Sequence, residues 1–326
     1  MFRALLLDRQ DGKFTVSVTS LDESALPEGD VTVAVTYSSL NYKDGLAITD
    51  KGKIARSFPM IPGVDWAGIV ESSDASNFKP GDRVILTGWG VGETHWGGMA
   101  EKARAKAEWL VKIPPGMDDK WAMSMGTAGL TAMMCVHALE ANGLRRDKEV
   151  LVTGAAGGVG SIAVALLAKL GHKVVASTGR RELDPYLKSL GAAAIMDRAE
   201  LAKPVRPLES ERWCGAIDTV GSTTLANILA GMRRRGCVAA CGLAGGHDLP
   251  TTVMPFILRG VRLIGIDSSQ CPMQEREAAW RKLAALLPDG LPGDALQVCG
   301  LADLPRLADA IVAGKVKGRV LVDVKK

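Results

Sequence analysis

Two short stretches of this chain carry the residue types that do chemistry. In "VLVTGAAGGVGSIAVALLAKLG", Gly154, Gly157, Gly158 and Gly160 lie between an apolar run and a helix-forming run. A turn without side chains lets backbone N–H groups approach a pyrophosphate, and the following helix start favours its charge. Gly157, Gly158, Val159, Gly160 and Ser161 are therefore expected to hold a dinucleotide. The second stretch, "SLNYKDG", sets Asn41, Tyr42, Lys43 and Asp44 in succession. A tyrosine stays protonated at neutral pH and donates a hydrogen bond, so Tyr42 is the candidate for a catalytic proton donor or a cofactor-positioning group.

The strand after the glycine turn decides the dinucleotide. An NAD site presents Asp or Glu near the end of that strand, whereas "VVASTGRREL" offers Ser177, Thr178, Gly179, Arg180 and Arg181. A 2′-phosphate met by the planar guanidinium of Arg180 fits better, with Arg198 as a second contact, so NADPH is the expected cofactor. The alternative is that these arginines only solvate a helix start. The glycine spacing also suits short-chain dehydrogenases, which need a Tyr-x3-Lys pair. Tyr37, Tyr42 and Tyr186 are followed four places on by Asn41, Leu46 and Leu190, which excludes that family.

These residues need elements to position them. From Met1 to about Ile113, short β-type runs alternate with turns ("RALLL", "FTVSVTS", "DVTVAVTYS", "AGIVESS", "DRVILTG", "EWLVKI"), predicting a β-rich domain. A helix is predicted over Thr127 to Asn142. Six β-type runs follow in alternation with helices, from "EVLVTG" to "VRLIGID", the grammar of a doubly wound six-stranded parallel sheet in an α/β fold. The last segment is expected to return a helix and a strand to the first domain. The predicted division is 1–122 with 294–326, and 123–293.

Composition narrows the classes. The 326 residues carry a net charge of only +4, with basic and acidic residues interspersed, which does not suggest nucleic acid. Cys135, Cys214, Cys237, Cys241, Cys271 and Cys299 form no CxxC pair, favouring reduced thiols in a cytoplasmic chain. The N-terminal apolar run is too short for a secretory signal. The uncharged windows Trp121 to Leu139 and Val150 to Ala168 are rich in small residues and suit buried elements better than bilayer spans, so no membrane partner is expected.

A β domain, a dinucleotide-binding unit and a C-terminal return resemble the medium-chain dehydrogenases/reductases, and "IPGVDWAGIV" resembles their glycine-rich turn. The resemblance spans the whole chain and implies a GroES-like first domain with a Rossmann second one. Zinc-dependent members place His-Glu after that glycine and cysteines nearby. This chain has Val64 and Asp65, Asn41 and Tyr42, and no cysteine before Cys135, so no metal is expected. Within the zinc-free branch, "SSLNYKDGLAITDKGKIARSFPMIPGVDWAG" and "GIDSSQCPMQERE" look like the acrylyl-CoA reductases and similar proteins once labelled quinone oxidoreductases. That resemblance implies a cytoplasmic, homodimeric, NADPH-dependent reductase of acryloyl-CoA, with "VRLIGID" pairing with its twin at the dimer edge.

Hydride addition to an enoyl thioester needs positioning and a donor to the developing oxyanion, with no strong base. Asn41 and Tyr42 are expected near the nicotinamide, and the first domain is expected to close over it. "DTVG" (218–221), "CGLAGG" (241–246, with Leu243) and "IDSSQ" (266–270, with Ser268) are expected to line the cofactor crevice at the strands' carboxyl ends. Lys43 either polarises the substrate or contacts a CoA phosphate, the alternative being that Lys43 or Asp44 makes a surface ion pair, and Asp65 is expected as a buried structural carboxylate near Lys43, with a catalytic role as the alternative. His95, beside Trp89 and Trp96, belongs to a structural turn or to a substrate wall. Competing functions are a reductase of quinones or free unsaturated carbonyls, and an NADPH-binding protein with little turnover.

Overall fold

The structure, a computed structural model, describes residues 1–326 apart from the surroundings of Gly293. In chain order the elements are β1 (Phe2–Gln10), β2 (Lys13–Leu21), β3 (Val31–Leu40), α1 (Tyr42–Ile48), β4 (Asp65–Ser73), β5 (Arg83–Thr87), β6 (Lys102–Ala105), β7 (Val111–Lys112) and α2 (Asp119–Ala141). Then come β8 (Glu149–Val152), α3 (Gly158–Lys169), β9 (Lys173–Thr178), α4 (Asp184–Ser189), β10 (Ala194–Asp197), β11 (Trp213–Asp218), α5 (Ser222–Gly231), β12 (Met232–Ala240), α6 (Met254–Arg259) and β13 (Arg262–Gly265). The chain ends with α7 (Met273–Leu286), β14 (Leu296–Cys299), α8 (Leu304–Val312) and β15 (Arg319–Asp323).

Contacts divide the chain into Met1–Thr127 with Ser269–Lys326, and Ala128–Ser268. The first unit is β-rich. Its main sheet runs β14-β15-β3-β4-β5-β7, with β6 also paired to β3, and β1 and β2 form a separate antiparallel hairpin. Apolar side chains from several of these strands, among them Leu5, Val33, Val35, Trp66, Leu86 and Val322, fill one core. The terminal strand β15 enters this sheet by pairing antiparallel to β3, Val320 opposite Leu40.

The division differs from the predicted boundary at 293/294, because α7 packs within the first unit. Trp280 meets Trp121 edge-on at 6.1 Å, and the buried Arg276 donates to the Thr87 carbonyl and hydroxyl, each at 2.6 Å. Four further differences are local. The predicted helix at 127–142 is the second of two helical stretches in Asp119–Ala141, which break at Gly126, and the stretch from Asp119 was not predicted. The predicted "EWLVKI" strand contracts to β7, and α1 and β6 arise where no element was predicted.

In the second unit six parallel strands run β10-β9-β8-β11-β12-β13, the doubly wound order in which ligands gather at the strands' carboxyl ends. Such strands are covered on both faces, which explains why β11 is buried throughout. Among the described residues one helical segment, Asp119–Ala141 with its break at Gly126, is long and apolar enough to cross a membrane, and 78% of its apolar window is buried in the protein.

Candidate functional site

In the second unit the glycine turn is built mostly from backbone. The Gly157 N–H donates to the Gly154 carbonyl at 2.9 Å and the Ala155 N–H to the Ser177 carbonyl at 3.2 Å, tying the turn to the end of β9. A Cβ on Gly160 would sit 2.7 Å from the Ala155 Cα, so α3 starts flush against the turn only because residue 160 has no side chain. Gly157 caps α3 without a side-chain hydrogen bond. The first-turn N–H groups have no helical acceptor by geometry and are available to an anion. Gly157, Gly158 and Val159 are half-buried, whereas Ser161 is buried and turns its hydroxyl to the Ala155 carbonyl at 3.3 Å.

The end of β9 has the charge that the sequence suggests. Ser177 and Thr178 are buried, and the Thr178 Oγ1 accepts from the Arg180 N–H at 3.1 Å. Burial pushes the half-buried Arg180 guanidinium below its ordinary pKa; Glu182 opposes that shift and the nearby Arg198 adds to it. Arg198 lies against Gly179, where a Cβ would collide with its guanidinium. Two guanidinium groups thus share this corner, an arrangement suited to a dianionic phosphate. Arg181 instead reaches Asp197 at 3.7 Å.

Loops at the neighbouring strand ends are joined to the same edge. The buried Asp218 accepts from the Thr153 hydroxyl at 2.6 Å and the Gly221 N–H at 2.8 Å, and burial raises its pKa. Cys241 donates to the Asp218 carbonyl at 3.5 Å, a packed thiol, and Leu243 is 59% exposed just beyond it. The Ser268 hydroxyl meets the Thr131 hydroxyl at 2.7 Å.

The first unit holds a different kind of site, made of buried polar side chains. Asp65 opens β4 and is fully buried. Its Oδ1 accepts from the Ser39 hydroxyl at 2.6 Å and the Ser39 N–H at 3.2 Å, and its Oδ2 from the Asn41 Nδ2 at 3.0 Å and the Thr127 N–H at 2.7 Å. Arg319, at the start of β15, is buried beside it. Its Nη2 donates to the Ser39 Oγ at 2.7 Å, its Nη1 to the Asn41 Oδ1 at 3.2 Å and its Nε to the Ser124 carbonyl at 3.1 Å. Gly126, at φ 52° and ψ −152°, breaks α2 over this group. A Cβ there would lie 2.7 Å from Asp65 Oδ2 and 2.8 Å from Arg319 Nη2, so both the backbone angle and the space demand glycine.

Asn41 also caps α1, its N–H donating to Asp44 Oδ2 at 2.9 Å, and Tyr42 is the first residue of that helix. Tyr42 is 38% exposed. Asp44 is buried, accepts from the Gly63 and Val64 N–H groups at 3.1 and 3.0 Å, and is pushed up to about 7 by burial first and by the Asp65 charge second.

Lys43 forms an ion pair with Glu93 at 2.8 Å, in keeping with the surface-pair reading, whereas the buried Asp44 faces inward to backbone donors. Asp65 is the expected buried carboxylate, but its partners are Ser39, Asn41 and Thr127 rather than Lys43. His95 is structural: its Nε2 bonds the Arg104 carbonyl at 2.7 Å and its ring meets Trp109 edge-on. Among the described residues no group of three or more His, Cys, Asp or Glu is placed to hold a metal. Sequence reasoning missed Ser39, Gly126 and Arg319. The available signal for Arg319 was a single cation opening the apolar run "RVLVDV".

Comparison with known proteins agrees with this geometry. Residues 27–115 match the alcohol dehydrogenase GroES-like domain family, and residues 158–286 match the zinc-binding dehydrogenase family. The chain is 59% identical to the probable acrylyl-CoA reductase AcuI of Escherichia coli, with 99% of each chain covered. It is 52% identical to the acrylyl-CoA reductase AcuI of Ruegeria pomeroyi, again over 99% of each. Among solved structures, the yhdH oxidoreductase of Salmonella enterica in complex with NADP superposes with a TM-score of 0.95 at 57% identity, covering 99% of both chains. The chain belongs to the medium-chain dehydrogenase/reductase family, in the group that contains the acrylyl-CoA reductases.

Proposed function

We propose that this protein is an NADPH-dependent acrylyl-CoA reductase that converts acryloyl-CoA to propanoyl-CoA without a metal. The observation that carries the cofactor assignment is the corner shared by Arg180 and Arg198 beside the glycine turn. Two full-length relatives bearing the acrylyl-CoA reductase name support the substrate. When bound, NADPH supplies a hydride for the β-carbon of the enoyl thioester. The turn at Gly157, Gly158, Val159, Gly160 and Ser161 holds the pyrophosphate by backbone N–H groups, and Ser177, Thr178, Gly179, Arg180 and Arg198 take the 2′-phosphate corner. Leu243 and Ser268 complete the cofactor contacts.

In this reading the first unit, Met1–Thr127 with Ser269–Lys326, is the substrate part, and the second, Ala128–Ser268, the NADPH part. Asn41 and Tyr42 serve the reacting end of the cofactor. The Tyr42 hydroxyl either orients the cofactor or donates the hydrogen bond that a thioester oxygen needs as it gains charge. Supporting the homodimer are the exposed apolar side chains Val253 (65%) and Ile257 (70%), close in sequence to the edge strand β13. Six free cysteines are in keeping with a cytoplasmic setting.

The test is NADPH oxidation on addition of acryloyl-CoA, with crotonyl-CoA, free acrylate and a benzoquinone in parallel. Rapid oxidation with acryloyl-CoA is expected. Turnover of the quinone without turnover of the thioester would overturn the substrate assignment and leave the cofactor assignment standing.

A further inference from the structure

We propose that Arg319 is a positioning residue for the reaction: it acts through Asn41 to hold the start of α1, and with it Tyr42. The inference rests on the reading above for Tyr42, and on geometry for the rest. The Asn41 side chain is held at both ends. Its carbonyl accepts from Arg319 Nη1 at 3.2 Å, and its amide donates to Asp65 Oδ2 at 3.0 Å and to Ser39 Oγ at 3.2 Å. Arg319 and Asp65 also meet on the same hydroxyl, Ser39 Oγ, so the guanidinium, serine, carboxylate and amide close into a ring of hydrogen bonds. The next residue after Asn41 is Tyr42, and the Asn41 N–H is already committed to Asp44 Oδ2 in the first turn of the helix. Loss of the Asn41 side-chain anchors therefore loosens the N-cap residue to which Tyr42 is joined by one peptide bond.

Arginine suits this post because one planar group reaches three acceptors at once, at Ser124, Ser39 and Asn41. Lysine has a single nitrogen and cannot span them. Arg319 also lines a cavity of about 380 Å³ together with Trp121, Ser124, Gly290 and Leu296. The side chain thus borders open space within the first unit. Removing the side chain should consequently leave a hole that free guanidinium can enter.

The experiment compares Arg319→Ala with wild type in the intact protein by steady-state kinetics and by amide hydrogen exchange over residues 42–48, each with and without millimolar guanidinium chloride. Misplacement of a reacting group by about 1 Å costs on the order of 100-fold. The expected result is a fall in kcat of about that size, with the KM for NADPH changed by less than about 3-fold. Exchange across α1 should rise, and added guanidinium, but not ammonium, should restore both readouts. Unchanged exchange in α1, or a loss of activity that guanidinium leaves untouched in a folded variant, would overturn the proposal.

If Arg319→Ala does not fold, Arg319→Lys is combined with Asn41→Ala in a double-mutant cycle. Effects that fail to add are expected for residues acting as one unit, whereas additive effects would contradict the proposal. The exchange measurement needs no substrate. An enzyme that ignores acryloyl-CoA would remove the proposed function, while the coupling of Arg319 to α1 would still be decided.

Discussion

The two candidate sites are built in opposite ways. The phosphate cradle of the second unit is mostly backbone: a turn, a helix start and the end of β9, all within residues 153–198. The polar cluster of the first unit is mostly side chain, and its members come from across the chain, with Ser39 and Arg319 separated by 280 positions. A backbone cradle has few side chains to lose. A closed ring of buried side chains fails when any one is removed, because each lost partner strands the others away from water. The cradle should therefore tolerate substitution except at its glycines and its phosphate-binding arginines, whereas the cluster should be sensitive everywhere.

The largest break of that contrast should come from Asp65→Ala. It leaves the Arg319 guanidinium buried without a nearby Asp65 charge and strands the Ser39, Asn41 and Thr127 donors. Leaving a buried charge uncompensated costs about 3–5 kcal/mol, visible as a lower denaturant midpoint. Tyr42→Phe comes next. If the hydroxyl donates to the substrate, kcat should fall on the order of 100-fold with little change in unfolding; unchanged turnover with weaker NADPH binding would leave it only an orienting role.

Arg180→Ala is expected to sharpen the comparison from the other side. Loss of charge-assisted hydrogen bonds to the 2′-phosphate should raise the KM for NADPH about 30-fold while leaving NADH use and the denaturant midpoint nearly unchanged. A parallel loss with both nucleotides would place Arg180 outside the 2′-phosphate corner.

The last prediction concerns pH. Asp44 is pushed up to about 7 by burial and by Asp65, so the folded protein holds its proton more tightly than the unfolded chain does. Between about pH 4 and about pH 7 the folded state binds more protons, and this group's contribution to stability declines across that window as pH rises. Asp44→Asn carries no such proton. The stability of wild type relative to Asp44→Asn should thus shrink between about pH 4 and about pH 7, measured as a difference of thermal midpoints. A difference that grows with pH would reverse the assigned sign.

The same contrast explains what the sequence reveals. The six strands of the parallel sheet and the glycine turn are legible because their signals are local: apolar runs, alternating helices and missing side chains. Asp65 stands out as an acid in the apolar string "GVDWAG", and burial follows from that setting. Its partners do not follow, since Ser39, Asn41 and Thr127 are brought together by strand register and by the break at Gly126. The helix predicted from Thr127 does begin there, directly after the break at Gly126, but the φ of 52° that turns the chain to present the Thr127 N–H to Asp65 leaves no mark in the sequence beyond a glycine. Helix α1 is seven residues long and too short for a periodic pattern. Arg319 looks like one more basic residue in "GKVKGRVLVDVKK", and nothing near it in sequence states that it is buried.

The most direct test of the account is the initial rate of acryloyl-CoA reduction by the wild-type protein with NADPH and with NADH at equal, low concentrations. Rapid reduction with NADPH, and a rate lower with NADH by at least about 30-fold, is the predicted result. Failure to reduce acryloyl-CoA with either nucleotide, or equal rates with both, would contradict it.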